Sequence, residues 1–88
     1  MKHILKSHIP HFLWLAHGLK TFDIRKADRG FQVGDELLLR EFDPVTKKYT
    51  GRAVTASITN LMTARPEWGL MDGYVILSLG NVVGTTYL

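Results

Sequence analysis

The sequence predicts a small α+β domain that is mainly β: a small barrel of about five strands with one N-terminal helix covering an opening. Three observations lead there. Short runs with strand alternation recur from His3 to Leu79, a single helical stripe falls near the start, and turn residues separate the runs at close intervals. Five short strands are too few for an ordinary two-layer sandwich. Curling one sheet onto itself buries an apolar face within 88 residues.

His3 to Lys6 reads as the first strand. Pro10 opens a helix, since the first helical position needs no amide donor. Phe12, Leu15, Ala16 and Leu19 stand at i, i+3, i+4 and i+7 and form its apolar stripe. Gly18 ends it in a left-handed cap. Thr21 to Lys26 alternates, with Phe22 and Ile24 expected inward and Thr21, Asp23 and Arg25 on a polar face. Lys26 to Gly34 is a polar connection in which Phe31 and Val33 dip toward the core, and Gly34-Asp35 is a turn. Glu36 to Phe42 is a strand whose run Leu37, Leu38, Leu39 suggests burial on both faces. Asp43 to Gly51 is a polar hairpin loop, and the β-branched stretch Arg52 to Met62 is the return strand. Thr63 to Gly73 holds Pro66, Gly69 and Gly73 and reads as a loop with one helical turn. Tyr74 to Leu79 is the last buried strand. The tail from Asn81 to Leu88 has β-forming residues, and adds an edge strand or frays.

Composition excludes several function classes. Hydrophobic residues make up 45% and charged residues 22%, which suits one ordinary folded domain. With no cysteine, disulfides, thiolate zinc sites and cysteine nucleophiles are out, and a reducing, cytoplasmic setting is expected. The apolar stretch from Ile9 to Leu19 is shorter than the roughly 20 residues a membrane helix needs, so no membrane partner is expected. The formal net charge of +3 is compatible with a phosphate-bearing partner. No P-loop, dinucleotide glycine motif or nucleophile elbow is present.

The stretch Gly18-Leu19-Lys20-Thr21-Phe22-Asp23-Ile24-Arg25 resembles the G-x-K-x-x-E-x-R signature of ASCH domains, the activating-signal-cointegrator homology domains of the PUA-like superfamily. The "VGDELLLREFD" block, the closing "DGYVILSL" and the opening His3 to Lys6 resemble the same family's barrel strands. The similarity covers roughly residues 3 to 79 and is nearest a compact branch of bacteria and their phages. It implies a mixed barrel with a polar cleft between barrel and helix, and RNA or a nucleoside-like ligand in that cleft. Asp23 stands where the family usually has glutamate, so the carboxylate is one methylene shorter.

The expected ligand residues are Lys20, Thr21, Asp23, Arg25 and Lys26, with His3 beside the cleft. Lysine and arginine bind phosphate or polarise a carbonyl, and Asp23 orients Arg25 or accepts from a base amino group. The bland alternative is a solvated strand face with weak cross-strand ion pairs. Some members of the superfamily are small amidohydrolases acting on acylated cytidine. Their lysine matches Lys20, but their threonine nucleophile falls at Asp23, and Glu67 is the only acid near the place of their glutamate. Binding without chemistry is therefore the first reading, with no cofactor; the amidohydrolase is the second. The third is an interaction module, or a homo-oligomer, using the tail from Val82 as an edge strand. The four histidines, His3, His8, His11 and His17, miss the i, i+4 zinc spacing, so no metal is expected. Trp14, Trp68 and Tyr74 are candidates for base stacking, although tryptophan in so small a protein is more often core. Arg29, Lys47, Lys48, Arg52 and Arg65 read as solvated charges.

Overall fold

The computed structural model describes residues 1–86. Among them the chain forms β1 (Lys2–His8), α1 (His11–Ala16), β2 (Phe22–Lys26), β3 (Glu36–Asp43), β4 (Lys48–Met62), a 3₁₀ turn (Pro66–Trp68) and β5 (Tyr74–Thr86). The strands make one curled, five-stranded half-barrel in the order β1-β3-β4-β5-β2. β1 runs parallel to β3, and the other neighbours are antiparallel. The first two strands in sequence are thus the two outer edges of the sheet. They flank common cavities across an unclosed seam, and α1 links them over one end.

One core fills the concave side. Leu5 of β1, Leu37 and Leu39 of β3, Val54, Ala56 and Ile58 of β4, and Val75, Leu77 and Leu79 of β5 alternate inward. Phe12 and Leu15 of α1 complete it. Leu38 is only half-buried, so β3 is covered on one face rather than two. The reason is that the short helix serves the concave side alone, as in antiparallel sheets with one wet face. On the convex side Lys6 lies 4.2 Å from the centre of the Phe42 ring and Arg40 3.9 Å from that of Tyr49. These cation–π contacts partly cover the outward aromatics.

The polarity of β2 is the reverse of the expectation. Asp23 is buried, whereas Phe22 and Ile24 are 45% and 50% exposed. The register with β5 explains it. Directly opposed residues share a face, Asp23 opposes Leu77, and Leu77 already points into the core. Phe22 and Ile24 oppose Ser78 and Ile76 and are carried outward. Val33, expected inward, is exposed, while Phe31 packs on the core as expected.

The helix is shorter than its apolar stripe suggests. Pro10 occupies the cap position before His11, and Ala16 and Leu19 stay exposed. Gly18 has φ +73°, and two bonds close the end: Leu19 N–H to the Trp14 carbonyl at 2.9 Å and Gly18 N–H to the Leu15 carbonyl at 3.2 Å. This is the Schellman pattern, which also brings Leu19 beside Trp14. Gly18→Ala should lower stability by about 1 kcal/mol through the left-handed backbone alone, read by urea denaturation.

The region read as a tail continues β5. Arg52 pairs with Thr86 and Val54 with Gly84, past an irregularity where Asn81 has φ +52°. It is therefore joined to β4 along one edge rather than forming a separate edge strand. Tyr87 and Leu88, part of that same expectation, lie outside the described residues. The 43–51 connection is tighter than expected, because β3 and β4 extend into it.

At the end of the barrel away from α1, Asp35 is almost fully buried. Its carboxylate bonds the His3 ring at 2.8 Å, the Met1 ammonium at 3.1 Å and the Gln32 N–H at 3.0 Å. The His3 bond is the largest influence holding its pKa down at about 2, aided by the ammonium and the backbone N–H and opposed by burial. A depressed carboxyl stabilises the fold fully above its unfolded value near 3.8 and loses that contribution as pH falls toward 2. Unfolding midpoints should therefore drop between about pH 4 and 2, and Asp35→Asn should flatten that drop. An unchanged slope in the variant would remove Asp35 as its source.

Candidate functional site

β1 and β2 are edges that do not pair with each other, so the seam between them needs another lining. Near α1 the seam is lined by inward positions, Ser7, Asp23 and Arg25, together with residues of its exposed rim. Lys6, Ser7 and His8 come from β1, His11 from α1, Lys20 from the junction, and Asp23, Ile24 and Arg25 from β2. They enclose a cleft of about 410 Å³. Ser7 continues the inward series His3, Leu5, and lies opposite Glu41 in the parallel register.

Asp23 is the hub. Arg25 Nε donates to its Oδ2 at 2.7 Å, and Lys20 Nζ lies 3.9 Å from Oδ1. Lys20 Nζ also donates to His11 Nδ1 at 3.3 Å, which requires the neutral ring with its proton on Nε2. The ammonium sits 5.2 Å from the centre of the Phe22 ring. The Lys20, Asp23 and Arg25 side chains are only 17%, 10% and 22% exposed, so the cluster is held rather than waving in solvent. Arg25 uses Nε for the carboxylate, and among the described residues its Nη groups have no carboxylate partner. Lys6 lines the β1 rim, its ammonium over the outward Phe42 ring, so within the cleft two cations, Lys20 and Arg25, stand against one carboxylate. Such an arrangement attracts an anion and orients a guanidinium toward it.

Of the residues expected here, Lys20, Asp23 and Arg25 converge. Lys26 is exposed, and lines a smaller cavity of about 180 Å³ along the same seam with Arg25 and Arg29. Thr21 is exposed outside the cleft lining; its carbonyl accepts from Leu79 N–H at 2.9 Å. His3 is not beside the cleft but at the far end of β1, bound to Asp35. Glu67 sits on the 3₁₀ turn, 3.9 Å from Arg65, and does not line the cleft. The tryptophans are not core: Trp14 is 44% and Trp68 73% exposed. Lys6, Ser7, His8 and His11 were missed. The only local signal was the inward parity of Ser7.

A family model for a domain of unknown function, DUF3850, matches residues 2–79. The chain belongs to the DUF3850 family. The DUF3850 match runs from β1 through Leu79, so it contains every residue of the cleft and stops where β5 turns irregular. A relative from Escherichia phage P2, the uncharacterized 12.9 kDa protein in the GpA 3' region, is 36% identical over 86 residues. That alignment covers 96% of this chain and 74% of the relative. Among the described residues of this DUF3850 chain, no helix is long and apolar enough to cross a membrane, and no three His, Asp or Glu side chains gather as a metal site.

Proposed function

We propose that this domain is an ASCH-type, PUA-like module whose seam cleft binds the phosphate of RNA or of a nucleotide-like ligand without chemistry. The observation that carries the reading is the convergence of Lys20 and Arg25 on a buried Asp23, with Lys6 at the rim of the opening. A carboxylate that fixes two cations in a concave site orders them for an anion before it arrives, so less side-chain freedom is lost on binding. The amidohydrolase alternative needs a glutamate in the cleft, and Glu67 stands outside it. A cytoplasmic RNA or nucleotide ligand also fits a chain without cysteine.

The test is fluorescence anisotropy of a labelled single-stranded oligoribonucleotide across a salt series. Two or three phosphate contacts predict a slope of log affinity on log salt of about −1.5 to −2, at about −0.7 per contact for single strands. No binding at low salt, or binding indifferent to salt, would reject the reading.

A further inference from the structure

Beside the polar cleft lies a second concavity of about 570 Å³ with an apolar lining. Trp14, Leu19, Phe22 and Ile24 form it, and they are 44%, 78%, 45% and 50% exposed. Single exposed apolar residues are ordinary, but a contiguous group of four, two of them aromatic, is the signature of a binding surface. Two structural devices hold it open. The Schellman cap of α1 sets Leu19 next to Trp14, and the register of β2 with β5 turns Phe22 and Ile24 outward.

The shelf and the cleft are continuous. His11, Lys20 and Ile24 line both. Lys20 is the boundary: its ammonium lies 3.9 Å from the Asp23 carboxylate on one side and 5.2 Å from the centre of the Phe22 ring on the other. A ligand filling both must be anionic at one end and flat and apolar at the other, within about one side chain's reach. An apolar peptide would leave the cations unused, and a bare phosphate would leave the aromatics wet. We infer that the shelf receives an unpaired nucleobase whose phosphate sits in the cleft, which rests on the cleft reading above. Aromatic side chains stack any base by its face, so the shelf favours single strands or free nucleotides over duplex, where the bases are already stacked.

Trp14 supplies the readout. In a Trp68→Phe background it is the sole tryptophan, and adenosine 5′-monophosphate should quench its emission saturably. Adenosine 5′-monophosphate should bind at least about 10-fold more tightly than ribose 5-phosphate, and Phe22→Leu should weaken the mononucleotide far more than ribose 5-phosphate, erasing most of that difference. Single-stranded oligoadenylate should exceed the same strand in duplex. Tighter binding of oligoadenylate than of the mononucleotide assigns the ligand to an RNA strand, and equal binding assigns it to a free nucleotide; both support the shelf. Equal affinity for the base-bearing and base-free phosphates overturns the shelf and leaves the cleft reading standing. So does a dimer in sedimentation that Phe22→Leu dissociates, since a second copy would then cover the patch. Failure of all three, oligoadenylate included, to bind overturns the cleft reading and the shelf together.

Discussion

Arg52→Ala is expected to lower the stability of the domain by about 3 kcal/mol. Glu41 lies on the concave side of β3 with no solvent exposure at all. Its carboxylate receives Arg52 Nε at 2.8 Å, Arg52 Nη2 at 2.9 Å and the Thr50 hydroxyl at 2.6 Å. Removing one partner of a buried pair leaves an uncompensated charge, at about 3–5 kcal/mol. Arg52 is itself 47% exposed, so water partly replaces it and the lower end applies. Against a total of about 5–15 kcal/mol this is a large fraction. At about 4–8 °C per kcal/mol for a domain of this size, it lowers the melting temperature by roughly 12–24 °C. Adding Glu41→Leu to Arg52→Ala should recover much of the loss, because the stranded charge goes with it. Thermal denaturation of the single and double variants checks both. A single variant within about 1 kcal/mol of the parent would contradict the buried pair.

Lys20→Ala with Arg25→Ala should weaken oligoribonucleotide binding by about 100-fold or more at low salt. Each charge-assisted bond to phosphate contributes about 1.5–3 kcal/mol, and the two residues supply separate contacts. The salt slope should fall as well, by about 0.7 for each contact removed. Stability separates this effect from misfolding. Removing both cations strands the buried Asp23 carboxylate, so the double variant should lose stability as Arg52→Ala does. Adding Asp23→Asn removes the stranded charge, and this triple variant should melt cooperatively while still failing to bind. Anisotropy titrations at two salt concentrations, with circular dichroism melts on the same samples, measure both. Loss of binding with an unchanged salt slope would mean that phosphate is not what these residues touch.

Much of the architecture follows from local pattern. Gly18 marks the end of α1 by its capping role, and Leu37 and Leu39 are core as read, although Leu38 between them, expected buried on the second face, is only half-buried. The failures share one physical cause, dependence on a distant partner. Phe22 and Ile24 look like core residues, and their strand is turned over because Leu77 of β5 takes the inward position opposite Asp23. Glu41 and Asp35 look like surface acids until Arg52 and His3 arrive from other strands. The Lys20, Asp23 and Arg25 cluster was legible because the signature lies within eight consecutive residues. Lys6, Ser7, His8 and His11 were not, since only the curl of the sheet brings β1 opposite β2. The exposed Trp14 was hidden for a related reason: a six-residue helix buries Phe12 and Leu15, packs the half-buried Leu13 against the core, and leaves Trp14 outside.

The most direct test of the seam as the ligand site is a backbone amide titration by nuclear magnetic resonance with adenosine 5′-monophosphate. Saturable shifts are expected at Ser7, His8, Lys20, Phe22 and Arg25, which span β1, the junction and β2 around one opening. Shifts confined to the exposed cations of the β3–β4 hairpin and the 3₁₀ turn, Lys47, Lys48 and Arg65, with the seam silent, would contradict it.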